Sequence, residues 1–268
     1  MKASFYFFRL TFILVFAGFL SQASAQYDDW KHSGSTYLVT DSAGADLPAS
    51  AVEKNFPLLI RLNKEYFDFS EAKPQGEDVR FSSKGKPLAY QIERWDAEEG
   101  EAEVWVRIPT IKGKDQQAIK MHWGNDSVST ESNGEQVFRT TEGFAAVWHL
   151  GDNLEDATSN NLDGVNRPDK PTVNTTGIIG DAQEFGVNQI LVIRPPGAKS
   201  GRRVTCMPSG NADRTMSAWV NPTSFEGRNW AQASIGGWGE PERGQKPNMG
   251  LSYFTMTGRG QPRFHLYG

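Results

Sequence analysis

The chain has 268 residues, 28 Lys and Arg against 32 Asp and Glu, a net charge of −4 and a single cysteine. That length suits one large or two modest domains. Mild acidity without a basic patch argues against a nucleic-acid or anionic-lipid surface, and lone Cys206 offers no internal disulfide, so core packing must hold the fold.

Lys2 and Arg9 lead into an apolar run from Leu10 to Leu20, and Ala23-Ser24-Ala25 stands just before Gln26. A basic start, a short apolar core and small residues in an A-x-A pattern mark a secretory signal peptide. The run is about half of the roughly 20 residues a membrane-crossing helix needs. The reading is a signal peptide over 1–25, cleavage after Ala25, and export to the periplasm, cell envelope or extracellular space. No later stretch is long and apolar enough to span a membrane. Export without cystines fits a bacterial envelope protein.

From residue 26 to 141 the pattern is short strands punctuated by Gly and Pro. Phe56 to Leu62 reads as a buried strand, Asp78-Val79-Arg80-Phe81 as the next, and Ser82 to Pro87 as a turn. In 88–95, Leu88, Tyr90 and Ile92 face one way, while Gln91, Glu93 and Trp95 break to other environments. Asp96 to Gly100 reads as a hairpin loop. Ala102, Val104, Val106 and Ile108 then alternate with Glu103, Trp105 and Arg107, the period of a half-buried strand. Pro109 is expected to end it, since proline cannot donate to a ladder. Ala118 to Trp123 follows, closed by Gly124-Asn125. No long helical periodicity occurs, so the pattern predicts a β-sandwich.

Asp78-Val79-Arg80-Phe81, Pro87 to Glu93, Val104 to Pro109 and Met121-His122-Trp123-Gly124-Asn125 together resemble the bacterial DUF2341 family, over roughly Phe56 to Phe138. The Trp-Gly-Asn ending is the most specific part, and His122-Trp123 stands where an aromatic pair is more usual. That family has no established activity. The resemblance implies an exported, multidomain bacterial protein, often with lectin-like neighbours.

A polar connector, 125–143, leads to a second module, 142–268. Phe144 to Leu150 reads as its opening strand, ended by Gly151-Asp152-Asn153, with Asp156 to Gly164 as a polar loop. Thr215 to Pro222 reads as an alternating strand, with Met216, Ala218 and Val220 on one face. Gly250 to Met256 and Pro262 to Tyr267 read as a hairpin around Gly258-Arg259-Gly260. Trp148-His149-Leu150, Asp156…Asn160…Gly164, Gly180…Ala182…Phe185 and Met216-Ser217-Ala218-Trp219-Val220 resemble the concanavalin A-like lectin/glucanase superfamily in its LamG-like jelly-roll form. That form usually continues for several more strands, which predicts that the domain is incomplete here. In some bacteria this pair of domains precedes an ExbB/TolQ-like segment.

The chemistry-bearing groups are sparse. Glu99, Glu101 and Glu103 fall on alternate residues, and carboxylates two apart on a strand lie roughly 6.5–7 Å from each other, an admissible glycosidase separation. Their place beside a hairpin predicts a solvated shoulder instead. His32, His122, His149 and His265 show no zinc spacing, and neither a nucleophile elbow nor a phosphate loop is present. The oxygen-rich run Asp156, Thr158, Asn160 and Asp163 suits Asx-turns, with a calcium ion as the alternative; no other cofactor is expected.

Trp230 and Trp238 stand among glycines, with Arg228 and Asn229 beside the first. Indole faces of this kind stack on sugars, while the guanidinium and amide supply polar contacts. The sequence therefore predicts an all-β, exported, non-enzymatic binding protein, its lectin-like domain recognising a glycan or envelope protein partner. The alternatives are part of a glycan-active hydrolase, or the N-terminal region of an ExbB/TolQ-like envelope transport protein.

Overall fold

The computed structural model describes residues 26–186, 189–193, 206–208, 212–223, 232–238, 249–255 and 260–266. The expected signal peptide lies outside them. Among the described residues no helix is long and apolar enough to cross a membrane.

Seven strands build the first sandwich: β1 (His32–Val39), β2 (Val52–Asn63), β3 (Arg80–Ser83), β4 (Lys86–Leu88), β5 (Tyr90–Asp96), β6 (Glu101–Lys112) and β7 (Gln116–Trp123). One sheet runs β1-β7-β3-β4, and the other runs β2-β6-β5 with β6 central. The alternation along β6 sends Ala102, Val104, Val106 and Ile108 inward, each at most 1% exposed. They share a core with Val79, just before β3, and with Phe81 and Ile119 of the facing sheet, while Phe67, Phe69 and Trp95 close one end edge to face. Each such side chain contributes roughly 1.5–3 kcal/mol on burial.

Two details depart from simple alternation. The β5–β6 register slips between Ile92 and Arg94, a bulge at Glu93. One extra residue reverses the facing of everything after it. Trp95 therefore turns into the core opposite Ala102, and both Glu93 and Arg94 lie on the outer face. Pro109 does not end β6. The strand runs on to Lys112 because past Val106 it has left its β5 partner, and β2 alone continues the pairing, Lys54 opposite Thr110. A proline is tolerated where no second ladder needs its N–H.

Asp78 is fully buried. One carboxylate oxygen accepts from the Lys73 N–H at 2.8 Å, and the other from the Gly124 and Asn125 N–H groups at 2.6 and 3.0 Å. Gly124 has φ 88°, a left-handed turn that glycine adopts without strain. Asp78 and the Trp-Gly-Asn ending are thus one device, a side chain tying the end of β7 to the start of β3. Arg80 is also buried, donating to the carbonyls of Glu77, Val79 and Ser129 and to the Tyr90 hydroxyl. Its guanidinium lies 5.6 Å from the Trp30 ring centroid.

The connector is not a loose linker. Lys73 and Arg80 donate to the Val128 and Ser129 carbonyls, the Glu131 N–H donates to the Tyr90 hydroxyl, and the Ile92 N–H donates to Ser132 Oγ. A single turn, α1 (Gly134–Val137), is capped by the Asn133 side chain. Residues 144–150 form no strand. Trp148 makes one bridge to Asp156, and its indole N–H donates to the Leu162 carbonyl at 2.7 Å.

The loop behind them follows the Asx-turn expectation. Asp156 Oδ1 accepts from the Val147 and Thr158 N–H groups, and Oδ2 from Thr158 Oγ1 and the Leu162 N–H. Four donors saturate this carboxylate, so the run is organised around hydrogen bonds, and no cluster of three or more His, Cys, Asp or Glu poised for a metal occurs among the described residues.

Among the described residues seven further strands follow: β8 (Gly164–Asn166), β9 (Val173–Thr176), β10 (Asp181–Glu184), β11 (Leu191–Ile193), β12 (Gln232–Trp238), β13 (Met249–Thr255) and β14 (Gly260–Leu266). They pair as β8 with β11, β9 with β10, and β12-β13-β14. The expected hairpin is the β13–β14 pair, with Phe254 opposite Gln261. Residues 212–223 form no strand, and Trp219 is 74% exposed. Alternation there has no neighbouring strand to pair with among the described residues, and pattern alone supplies no ladder. The described chain is nearly all β.

Candidate functional site: a cleft on the outer face of the β2-β6-β5 sheet

The outer face of this sheet is a set of cross-strand rows. Glu103 of β6 stands opposite Arg61 of β2 and Arg94 of β5, and Glu101 stands opposite Asn63 and Asp96. The bulge at Glu93 creates the first row, because without it Arg94 would point into the core. Tyr66, in the loop after β2, and the turn Gly177–Gly180 between β9 and β10 complete the walls of a cleft of about 370 Å³.

Both guanidinium groups are committed elsewhere, Arg94 through both of its terminal nitrogens and Arg61 through one. Arg94 reaches Asp96 Oδ2 at 3.2 Å and Glu101 Oε2 at 3.3 Å. Arg61 donates to the Ile178 carbonyl at 2.6 Å, which pins the turn to the sheet. The Tyr66 hydroxyl donates to the Arg61 carbonyl at 2.8 Å, leaving the ring 68% exposed at the rim. Ile178 adds a 60% exposed aliphatic surface opposite.

Glu103 is the exception in this arrangement. It is 8% exposed, and its Oε2 is buried without a hydrogen-bond partner. Burial pushes its carboxyl up, Arg94 and Arg61 pull it down, and Glu101 and Glu93 push it up again; the net direction is upward. A buried polar atom left unpartnered is rare enough in folded proteins to call for a physical account, and perturbed carboxyls concentrate where ligands or reactions are handled. The expectation of a solvated shoulder thus holds for exposed Glu99 and Glu101 and fails for Glu103. The turn 177–180, far away in sequence, covers it.

Beside the cleft, Glu93 takes the indole N–H of Trp105 and lies 3.1 Å from His149 Nδ1, while His149 Nε2 meets Gln91 Oε1 at 3.0 Å. Phe138 packs edge-on against Trp105 and stands 5.7 Å from the His149 ring. His149 is therefore a structural clasp between 144–150 and β5, as its position in a Trp-His-Leu run suggests. A second polar pair lies on the other sheet: Ser82 Oγ and His122 Nε2 are 3.0 Å apart, both buried. The Tyr27 ring stacks on His122 at 4.2 Å and closes that pair to any substrate. Burial first, and Lys120 second, push the His122 imidazole down.

Among the expected ligand contacts, Arg228, Asn229 and Trp230 lie outside the described residues. Trp238 is the last residue of β12, its backbone opposite Met249, and so stands in a strand where a loop was expected. The cleft residues Arg61, Tyr66 and Arg94 were missed. The signals present in the sequence were the Glu93–Arg94 break in alternation and the Tyr66-Phe67-Asp68-Phe69 run after β2.

Comparison with curated proteins and with solved structures finds no match to the chain. Residues 75–151 match the family model described as a domain of unknown function, DUF2341, and the matched stretch runs from the Asp78 tie through the β5–β6 hairpin to the His149 clasp.

Proposed function

We propose that the protein is exported under its residue 1–25 signal peptide and acts as a non-enzymatic binding protein that recognises a glycan at the cell envelope. On this reading the 142–268 module is a LamG-like jelly roll beside the DUF2341 sandwich. Its turn 177–180 helps to form the binding cleft. The observation that carries the reading is the exposed Tyr66 ring, oriented by its own hydroxyl, at the rim above the unpartnered carboxylate of Glu103. An aromatic face supplies the dispersion and desolvation that a sugar ring needs, because hydroxyls gain little from exchanging water for protein partners. A glycan array probed with the full exported chain, with and without calcium, tests it. Tyr66→Ala is expected to remove the signal without lowering the melting temperature. A signal that survives Tyr66→Ala but falls with Trp230→Ala or Trp238→Ala places the binding face at those tryptophans instead.

A second reading is favoured by one observation: Glu101 and Glu103 lie two apart on one strand in one cleft, with the Glu103 carboxyl pushed up by burial. Glycoside hydrolysis uses two carboxyl groups held in unlike environments, and here one is buried and the other exposed. Release of reducing ends from a bound glycan, abolished by Glu103→Gln, would establish hydrolysis and replace the non-enzymatic reading.

A further inference from the structure

Glu103 is an acceptor with nothing to accept, set between two guanidinium groups. Across the strands it faces Arg61 on one side and Arg94 on the other, and neither donates to it. A ligand group that settles there must donate to the carboxylate and tolerate, or accept from, the arginines. A hydroxyl does both at once. An ammonium donates to Glu103 but meets two guanidinium groups, and a sugar carboxylate meets two further carboxyl groups, Glu101 and Glu103.

The cleft also does not end at Tyr66. The same residue walls a second cleft of about 610 Å³, lined by Lys64, Glu65, Asp68 and Glu98 among others. There one lysine stands against three carboxylates, which disfavours an acidic polymer again. An aromatic ring shared by two adjoining clefts is a platform on which consecutive rings of a chain can rest.

Resting on the glycan reading above, we propose that the ligand is an uncharged oligosaccharide. It presents a hydroxyl pair to Glu103 and continues past the Tyr66 ring into the second cleft, so the site reads several consecutive sugar units rather than one.

Affinity electrophoresis of the full exported chain, through gels holding neutral glucan, mannan, xylan or galactan, polygalacturonate, or chitosan, tests this. Titration with one to six units of the retained sugar adds the length dependence. Retardation by a neutral glycan alone is expected, with affinity rising about tenfold or more from one unit to four and falling about tenfold in Glu103→Gln, the scale of a lost hydrogen bond to a charged group. Thermal unfolding read in parallel verifies that the amide variant folds, and Tyr66→Ala, at an exposed ring, gives an independent loss of affinity. Equal or stronger retardation by polygalacturonate or chitosan overturns the inference while leaving the glycan reading in place. So does a single unit that binds as well as six, or a silent Glu103→Gln. No retardation by any gel removes the glycan reading and this inference together.

Discussion

Two buried carboxylates in one sandwich illustrate opposite uses of the same group. Asp78 accepts from three backbone N–H groups, and its removal orphans all three. At roughly 1–3 kcal/mol for each buried donor left unpaired, Asp78→Ala is expected to destabilise the protein by at least about 3 kcal/mol, read as a lowered urea midpoint. Glu103 has a buried oxygen with no partner, so Glu103→Gln is expected to stabilise the unliganded protein by about 1–2 kcal/mol. The sign with pH follows from the upward shift. The folded state keeps this proton to higher pH than the unfolded chain, whose carboxyl titrates near 4.5. The folded form therefore loses stability as pH rises through the window above that value, and the advantage of the amide variant grows over the same range. Melting curves of the two proteins between pH 4 and 8 check it; a constant difference would refute the assignment. His122 acts in the other direction: its imidazole is pushed below the ordinary 6.5, so its contribution is lost as pH falls through 6.5 and below. The two residues differed in legibility. Asp78 stood out in the sequence as part of a run resembling a family, but the partners that give it a role lie 46 and 47 residues away. Glu103 stood out by spacing, but its burial depends on a turn more than 70 residues further on.

At the scale of elements, alternation was readable wherever a strand had partners on both sides. β6 is the clearest case, with Ala102 to Ile108 turned inward as the period requires. Reading failed where one residue was inserted, as at Glu93, or where a periodic run had no neighbour, as in 212–223. Phe144 to Leu150 shows a further cause. Its apolar residues are used to pack a clasp against the outer face of β5 and β6, and an irregular backbone serves that as well as a strand. The clasp gives a test. His149→Ala leaves Glu93 with the Trp105 N–H but without the imidazole. It is expected to cost about 1–3 kcal/mol, the range for breaking a buried hydrogen-bonded partner, and to open 144–150 to protease before any other loss. Hydrogen exchange at Val147 and Ala157, whose amides depend on that loop, should rise in parallel; unchanged exchange would show that the clasp holds nothing.

For the whole molecule, a boundary near Thr140 to Gly143 predicts a connector open to proteolysis. The contacts of Val128, Ser129, Glu131 and Ser132 with Lys73, Arg80, Tyr90 and Ile92 predict the opposite. Limited proteolysis is expected to spare 126–150, and early cleavage there would show that these bonds are weaker than their geometry suggests. The sandwich of β1 to β7 was legible because turns and periods are local; how the turn 177–180 leans on its outer face was not, because that depends on outward-facing polar residues whose partners are remote. The order of the β1-β7-β3-β4 sheet adds a kinetic consequence. Among the described residues β1 pairs only with β7, His32 opposite Trp123 and Val39 opposite Gln116, so the first strand of this sandwich waits for its last. Loop closure of that length is slow, and sheets built on it form late. Along the way the chain remains threadable: a polymer passed through a narrow pore from its N-terminus would not lock into this sandwich until Trp123 had followed through.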